Sequence, residues 1–165
     1  MAEHGDTLYV TSHGDQGILV LDQDGEQIDM IIPNVVDQSA KQSVIPNQIA
    51  ISGDGQCAFT CLHSKKVYLM TLTTHHTQLV SHENIQCPSA LLFDAFGNLL
   101  IADFTSDSIH LVASGHGLYY GKLLTKRHGI ACPNALAFDS DGHLLVAQYG
   151  GDVLVVRYRS FEKRL

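Results

Sequence analysis

The sequence has no tryptophan, only four prolines and few charged residues. Charged residues make up 16% of its 165 residues and hydrophobic ones 45%, which is too little charge for a disordered tail and enough apolar content for one packed core. Its uninterrupted apolar stretches are far shorter than the roughly 20 residues that cross a bilayer. No basic start is followed by an apolar run, so we expect neither a membrane segment nor a secretion signal.

Cysteine is also sparse, and the spacing of its four copies argues against cross-links. Cys57 and Cys61 lie in one strand-like run, where they would stand about 13 Å apart at roughly 3.3 Å per residue. Neither a disulfide nor a single zinc ion spans that distance. Cys87 and Cys132 each precede a proline in successive repeats, so we expect them to lie apart. The sequence therefore predicts four reduced cysteines and a cytoplasmic protein.

Lysine and arginine are absent from residues 1–40, although the chain carries ten of them against 17 acids. Eight of the acids lie in those forty residues, so the remainder carries nine acids and ten bases. The formal net charge of −7 therefore belongs almost entirely to the beginning of the chain. The acids of this segment are Glu3, Asp6, Asp15, Asp22, Asp24, Glu26, Asp29 and Asp37.

Three segments of the chain align without gaps: 45–62, 87–104 and 132–149. The second and third, CPSALLFDAFGNLLIADF and CPNALAFDSDGHLLVAQY, agree at ten of 18 positions. Their turn glycines Gly55, Gly97 and Gly142 are separated by 42 and 45 residues, which is the length of one four-stranded propeller blade. The sequence is thus a repeat protein.

Each copy begins with proline, alternates apolar residues, turns at Asp and Gly, and continues with a second apolar run, which is the pattern of a β-hairpin. Gly97 is expected to supply a positive φ in its turn. A third strand follows near Val67, Ile109 and Val153, and a more polar fourth one at 75–80 and 119–124. No segment has helical periodicity. The sequence therefore predicts an all-β fold.

This fold is a partial β-propeller of about four four-stranded blades. The predicted blades are residues 1–33, 45–82, 87–126 and 132–158. The first and last should be incomplete, because 8–12 and 18–22 match second and third strands with no Pro-led first strand before them, and 153–158 is followed by no convincing fourth. Unpaired strand edges at both ends predict self-association.

The repeat resembles the NHL repeat over nearly the whole chain, most clearly in CPSALLFDAFGNLLIADF followed by Ile109. Such repeats are similar to those of the C-terminal domain of tripartite-motif ubiquitin ligases and related translational regulators, where the blades bind protein or RNA. The resemblance implies the substrate-recognition part of such a protein, because the zinc-binding RING and B-box modules that give the ligases their activity are not in this sequence. The family often has a basic residue before the third strand, where this chain has Lys66 once and Gly17, Ser108 and Asp152 in the other copies.

Catalytic and metal-binding patterns are weak in this sequence. The ten histidines are scattered, and we interpret them as solvated surface residues. Asn47, Ser89 and Asn134 follow the blade-opening prolines, where propeller lactonases and a related lyase hold metal, but turn-stabilising roles are favoured. No phosphate loop or nucleophile elbow is present. We therefore expect no enzyme activity, no cofactor and no metal, with a metal-dependent lactonase or lyase as a distant alternative.

The loops between second and third strands, 13–17, 63–66, 104–108 and 149–152, lie on the side of a propeller that also carries the connections between blades. Cations beside aromatic rings there could bind single-stranded RNA, although the aromatics could equally pack between blades. A net charge of −7 disfavours RNA, so a protein partner is the primary expectation and RNA the alternative. The candidate binding residues are His63, Lys65, Lys66, Phe104, Thr105, Arg127, His128 and Tyr149.

Overall fold

The computed structural model describes residues 1–37, 42–80, 82–113 and 117–159, and in these ranges the protein is all-β. Their single helical element is a 3₁₀ turn at Lys126–His128. No helix in the described ranges is long and apolar enough to span a membrane. The chain divides into two compact units, residues 1–81 and 82–165.

The first unit contains two four-stranded antiparallel sheets in which strands consecutive along the chain are also neighbours in the sheet. One sheet consists of β1 (Ala2–His4), β2 (Thr7–Ser12), β3 (Gly17–Leu21) and β4 (Gln27–Ile31). A small hairpin follows, formed by β5 (Val36–Asp37) and β6 (Gln42–Ser43). The other sheet consists of β7 (Pro46–Ile51), β8 (Gln56–Cys61), β9 (Val67–Thr71) and β10 (Thr77–Leu79).

The second unit repeats this arrangement with one four-stranded and one three-stranded sheet in its described residues. The first of these consists of β11 (Pro88–Phe93), β12 (Leu99–Asp103), β13 (Ser108–Val112) and β14 (Tyr119–Thr125). The second consists of β15 (Pro133–Phe138), β16 (His143–Gln148) and β17 (Val153–Arg157). Each sheet is a propeller blade, so the predicted fold class is confirmed.

The expected gap at the start of the first blade is filled, and on this point the sequence reading was wrong. Ala2–His4 pairs with β2 through Gly5, whose φ of 59° closes a two-residue turn. This strand lacks the proline of the other copies, because pairing along an open edge needs only an extended backbone. The last blade has three strands in the described residues, and a fourth strand after residue 159 would lie outside them.

Each unit is held together by apolar residues between its two blades. In the first unit, Ile18 and Val20 of β3 pack with Phe59, Tyr68 and Met70 of the second blade. In the second unit, Leu100 and Ile109 of one blade pack with Leu144 and Val146 of the next. Seven of these side chains are completely inaccessible to solvent: Ile18, Phe59, Met70, Leu100, Ile109, Leu144 and Val146. Blade faces in this protein are thus packing surfaces, and alternate residues of each strand form them.

The turns between first and second strands have the predicted geometry. Gly55, Gly97 and Gly142 have φ values of 82°, 77° and 78°. Two of these turns are closed by an aspartate that accepts backbone N–H groups: Asp94 from Phe96 and Asn98, and Asp139 from Asp141 and His143. Glycine is therefore favoured by backbone conformation at these positions, and at Gly55 and Gly142 space is not the constraint.

We expect Gly142→Ala to lower the free energy of unfolding by about 1 to 2 kcal/mol, because alanine must adopt a left-handed conformation. A Cβ at this position would meet no atom within 4 Å, so the loss measures backbone strain alone. Gly53→Ala is the matched control, since that site is equally open and has no left-handed φ. Urea unfolding of the two variants tests this. Equal stability of the two would contradict the assignment.

Candidate functional site

The loops between second and third strands, which we call the strand 2–3 loops, share one backbone design in three blades. They span 13–16, 62–65 and 104–107, and each ends on a non-glycine residue in the left-handed region: Gln16 (φ 55°), Lys65 (φ 54°) and Asp107 (φ 47°). The loop of the last blade is one residue shorter, 149–151, and ends on Gly151 (φ 93°). The course of each loop is thus set by the backbone conformation of its last residue.

A second repeated feature joins each loop to the connection that enters its own blade. The N–H of Leu62, Phe104 or Tyr149, the first residue of the loop, donates to the carbonyl that precedes the blade-opening proline. The acceptors are Ile45, Cys87 and Cys132, at 2.9, 3.0 and 3.0 Å. Loop and connection therefore lie side by side at one end of the sheet.

The last residue of the second strand strengthens this junction. The Asp103 carboxylate accepts hydrogen bonds from the backbone N–H groups of Gln86 (2.7 Å) and Cys87 (3.0 Å) in the connection. It also accepts longer ones from Thr105 (3.2 Å) and Ser106 (3.4 Å) in the loop. A carboxylate with several N–H donors is strongly stabilised in its ionised form. Asp103 therefore anchors both segments.

The electrostatics of Asp103 follow from these donors. Burial alone would raise the pKa of this carboxyl, but hydrogen bonds from His110, Gln86, Ser106 and Cys87 outweigh burial and hold the pKa well below its usual range. The side chain is completely inaccessible to solvent. The buried charge is thus compensated by donors at fixed positions.

Other residue types fill the same position in the other blades. Burial opposes ionisation of the Cys61 thiol, but the backbone groups of Ser64, His63 and Ile45 outweigh burial and lower the pKa of the thiol below its usual value. Gln148 accepts with its side-chain oxygen from the N–H of Ala131. Ser12 accepts from the N–H of Asp15. We call Ser12, Cys61, Asp103 and Gln148 the loop anchors.

Sequence reasoning did not find the loop anchors, because their side chains have little in common except an acceptor atom. The available signal was positional: each closes the second apolar run of its repeat. Local packing accounts for two positions before the third strand that lack the basic residue of the NHL pattern. A Cβ at Gly17 would lie 2.9 Å from the Ile31 carbonyl oxygen, and Ser108 is buried against His110.

His110 does not lie on the surface, so the interpretation of all ten histidines as solvated was wrong for this residue. It is completely inaccessible to solvent, with Ser108 Oγ 2.9 Å from Nε2 and the Tyr119 hydroxyl 2.8 Å from Nδ1. Asp103 lies 3.5 Å from the same Nε2 atom. A catalytic triad needs serine and carboxylate on opposite ring nitrogens. Asp103, Ser108 and His110 therefore form a structural network.

Three of the predicted binding residues lie in or beside the strand 2–3 loop of the second blade. His63 and Lys65 are exposed, and Lys66 is half-buried at the start of the third strand. In the neighbouring blade, His13 Nε2 lies 3.1 Å from Asn47 Oδ1, and Thr11 donates to the Asn47 carbonyl at 2.8 Å. Asn47 thus ties the two blades of the first unit together.

The other five predicted residues lie in the second unit. Phe104 and Tyr149 meet edge to face with ring centroids 5.8 Å apart, while Tyr149 remains 75% exposed. Both readings of this aromatic pair therefore hold in part, since it packs between blades and also presents one ring to solvent. Thr105 and Arg127 are exposed. His128 is exposed as well, and its Nδ1 accepts from the Thr125 N–H at 3.0 Å, which caps the 3₁₀ turn.

A cleft of about 480 Å³ lies in the first unit, and sequence reasoning missed it. The strand 2–3 loop of the first blade forms one wall with Gly14, Asp15 and Gln16. The connection to the next blade forms the other wall, including Asn34 and the apolar residues Ile32, Pro33, Val35 and Val44. The cleft combines one carboxylate, two amides and an aliphatic wall.

One group of possible metal ligands occurs in the described residues: Asp139, Asp141 and His143, in the turn between β15 and β16. Asp139 already accepts two backbone N–H groups, and its other oxygen lies 2.9 Å from His143 Nδ1. These contacts occupy the carboxylate, so the group is explained as a turn.

Two of the residues that follow the blade-opening prolines also have structural explanations or lie at the surface. Ser89 donates to the Pro133 carbonyl at 2.5 Å, and Asn134 is exposed.

The sequence matches no protein-family model and no curated protein at a significant level. Among solved structures, the chain is similar to one in a nidogen–laminin complex, with a TM-score of 0.70 and 17% identity over 90% of this chain and 54% of that one. It is also similar to a catalytically inactive virginiamycin B lyase from Staphylococcus aureus with quinupristin, with a TM-score of 0.64 and 16% identity over 94% and 53%. The chain thus spans about half the length of these structures, and the likeness shows the β-propeller fold alone.

We expect Asp103→Asn to lower the free energy of unfolding at pH 7 by about 3 kcal/mol, because the amide removes the buried charge that its donors stabilise. A depressed pKa stabilises the fold above the unfolded-state value of about 3.9, and this contribution is lost as the pH falls further. The stability of the wild type should therefore decline below about pH 5 more steeply than that of the variant.

Denaturant unfolding at several pH values between 7 and 2.5 measures both effects. Asp141→Asn is the control, because this side chain is exposed and the backbone N–H groups of the described turn donate to Asp139 instead. We expect it to change stability by less than about 0.5 kcal/mol. Parallel pH profiles for wild type and Asp103→Asn would contradict the anchoring role.

Proposed function

We propose that this chain is a non-catalytic, protein-binding platform of the cytoplasm, the substrate-recognition part of a protein similar to the tripartite-motif ligases. Such a protein would act in ubiquitination or in post-transcriptional regulation. Any ligase chemistry would reside in a separate RING module. The β-propeller fold supports a binding platform in general, and one of the similar solved structures is a protein–protein complex.

The observation that carries this proposal is the combination of fixed loop backbones with variable loop side chains. Loop-to-connection bonds of 2.9 to 3.0 Å recur in three blades. The exposed residues between these bonds differ from blade to blade: His63 and Lys65 in one, Thr105 in the next, Tyr149 in the last. Loops ordered before binding lose little entropy on association. This arrangement suits recognition of a folded or extended protein surface.

Charge favours protein over RNA in the first unit. Residues 1–40 carry eight acids and no lysine or arginine, and Asp15 lines the cleft beside the first strand 2–3 loop. An acidic, partly aliphatic cleft complements a basic peptide side chain better than a phosphate. The cations Lys65 and Lys66 of the first unit and Arg127 of the second keep single-stranded RNA as the second candidate, and the exposed Tyr149 ring supports it in the second unit.

A photo-crosslinking residue placed on either end of a blade tests the platform in cells. Positions 63 and 105 lie in strand 2–3 loops, whereas positions 54 and 96 lie in turns at the other end of the same two sheets. All four residues are exposed. We expect protein adducts from the two loop positions and only background from the two turn positions. Equal labelling at both ends would overturn the assignment of the binding side.

The RNA alternative is tested by anisotropy titration of short single-stranded RNAs at low and moderate salt. Three or four cations give a shallow salt dependence, since each neutralised phosphate contributes about −0.7 to the slope of log K against log salt. We expect no sub-micromolar binding. Tight, salt-sensitive binding that is lost in a Lys65→Glu/Lys66→Glu/Arg127→Glu variant, and kept in the control Lys122→Glu, would make RNA the partner.

A further inference from the structure

The outward face of the last blade is an aliphatic surface that the described residues leave partly exposed. In the sheet of β15, β16 and β17, one face packs against the preceding blade through Leu144, Val146 and their neighbours. Pairing in register places the alternate residues together on the other face. Val153 and Val155 on that face are 58% and 59% exposed. Its six members are Ala135, Ala137, Leu145, Ala147, Val153 and Val155, which we call the tail face.

The tail face repeats a surface that is buried one blade earlier. Ala135 and Ala137 correspond to Ala90 and Leu92 by the alignment of repeats, and the remaining members correspond through their pairing partners. The six equivalent residues of the preceding blade are Ala90, Leu92, Leu100, Ala102, Ile109 and Leu111. All six pack against the last blade in the core of the second unit. The tail face therefore has the composition of a surface onto which another blade packs.

The first blade has the complementary surface. Its inward face packs through Ile18 and Val20, so the alternate residues face away from that core. By register these are Leu8, Val10, Leu19, Leu21 and Met30, which we call the head face. All five are partly or largely exposed. The first four correspond in the repeat to Leu144, Val146, Leu154 and Val156, with which the last blade receives its neighbour.

Charge supports the same pairing of faces. Glu3 pairs with Leu8, so it lies on the head face, where it is exposed. Arg157 alternates with Val155, so it lies on the tail face, and Arg159 follows it; both are exposed. Opposite charges beside two apolar faces favour joining head to tail and disfavour joining two heads, which would bring acids together.

We propose that the tail face of one copy of this chain binds the head face of a second copy, in the way that consecutive blades pack within each unit. The occupant is a second copy, because the chain itself carries both complementary faces. Burial of exposed aliphatic side chains supplies the driving force.

Sedimentation velocity over a concentration series tests the proposal with the complete chain. We expect the wild type to associate as concentration rises. Val153→Arg/Val155→Arg should abolish this from the tail face, and Leu19→Lys/Met30→Lys from the head face, because buried unpaired cations are costly. Phe96→Arg is the control, since this half-exposed ring lies in the turn between β11 and β12 and belongs to neither face; it should associate like the wild type. Circular dichroism melts identify any variant that fails to fold.

Mixing the two variants decides the geometry. Each keeps one intact face, so a head-to-tail contact predicts that the mixture associates although neither variant does alone. Association of one variant alone through its remaining face would indicate pairing of like faces and would overturn the proposal. A wild type that stays monomeric at every concentration would overturn it as well.

Discussion

The junction between the strand 2–3 loop and the blade-opening connection is the constraint on which the candidate surface depends. Two chain segments meet there without sheet pairing, so their N–H groups need acceptors of another kind. Asp103 supplies two oxygens for four such groups. Because the anchor is buried and its donors are backbone atoms, the junction constrains where the loop runs and leaves its exposed side chains free to differ.

The two ends of each sheet are built on different principles. The turns between first and second strands are closed locally, by a glycine with positive φ and an aspartate that accepts from its own turn, as at Asp94. The other end is closed by contacts between segments separated by about 16 residues, as between Asp103 and Cys87. The end with long-range ties fixes each loop relative to the connection that enters its own blade.

The blade period, the hairpins and the positive φ of Gly97 could be predicted because each is encoded within a few consecutive residues. The short first strand could not, because Ala2–His4 becomes a strand only through pairing with β2. His110 was misjudged since both sides of β13 are covered, so that a polar residue there is buried with partners instead of exposed. The acidic cleft was missed because its walls, near Asp15 and Val35, are brought together by the fold.

The loop anchors show why likeness between repeats understates structural equivalence. Serine, cysteine, aspartate and glutamine differ in charge, size and chemistry, yet each places an acceptor beside backbone groups of the loop or of the connection. By residue identity, the four blades all differ at this position. By hydrogen-bonding role, they all agree. Low sequence identity between this chain and other propellers is compatible with likeness in structure for the same reason.

The left-handed residue that ends each strand 2–3 loop limits how the repeat can drift in sequence. Gln16, Lys65 and Asp107 occupy a conformation that β-branched side chains strongly disfavour, and glycine takes the equivalent place in the last blade. Mutation at this position is therefore confined to glycine and unbranched or short polar residues, whatever ligand the surface meets. Valine or isoleucine there would mark a copy that has lost this loop, so the position distinguishes functional blades from decayed ones in any longer array of such repeats.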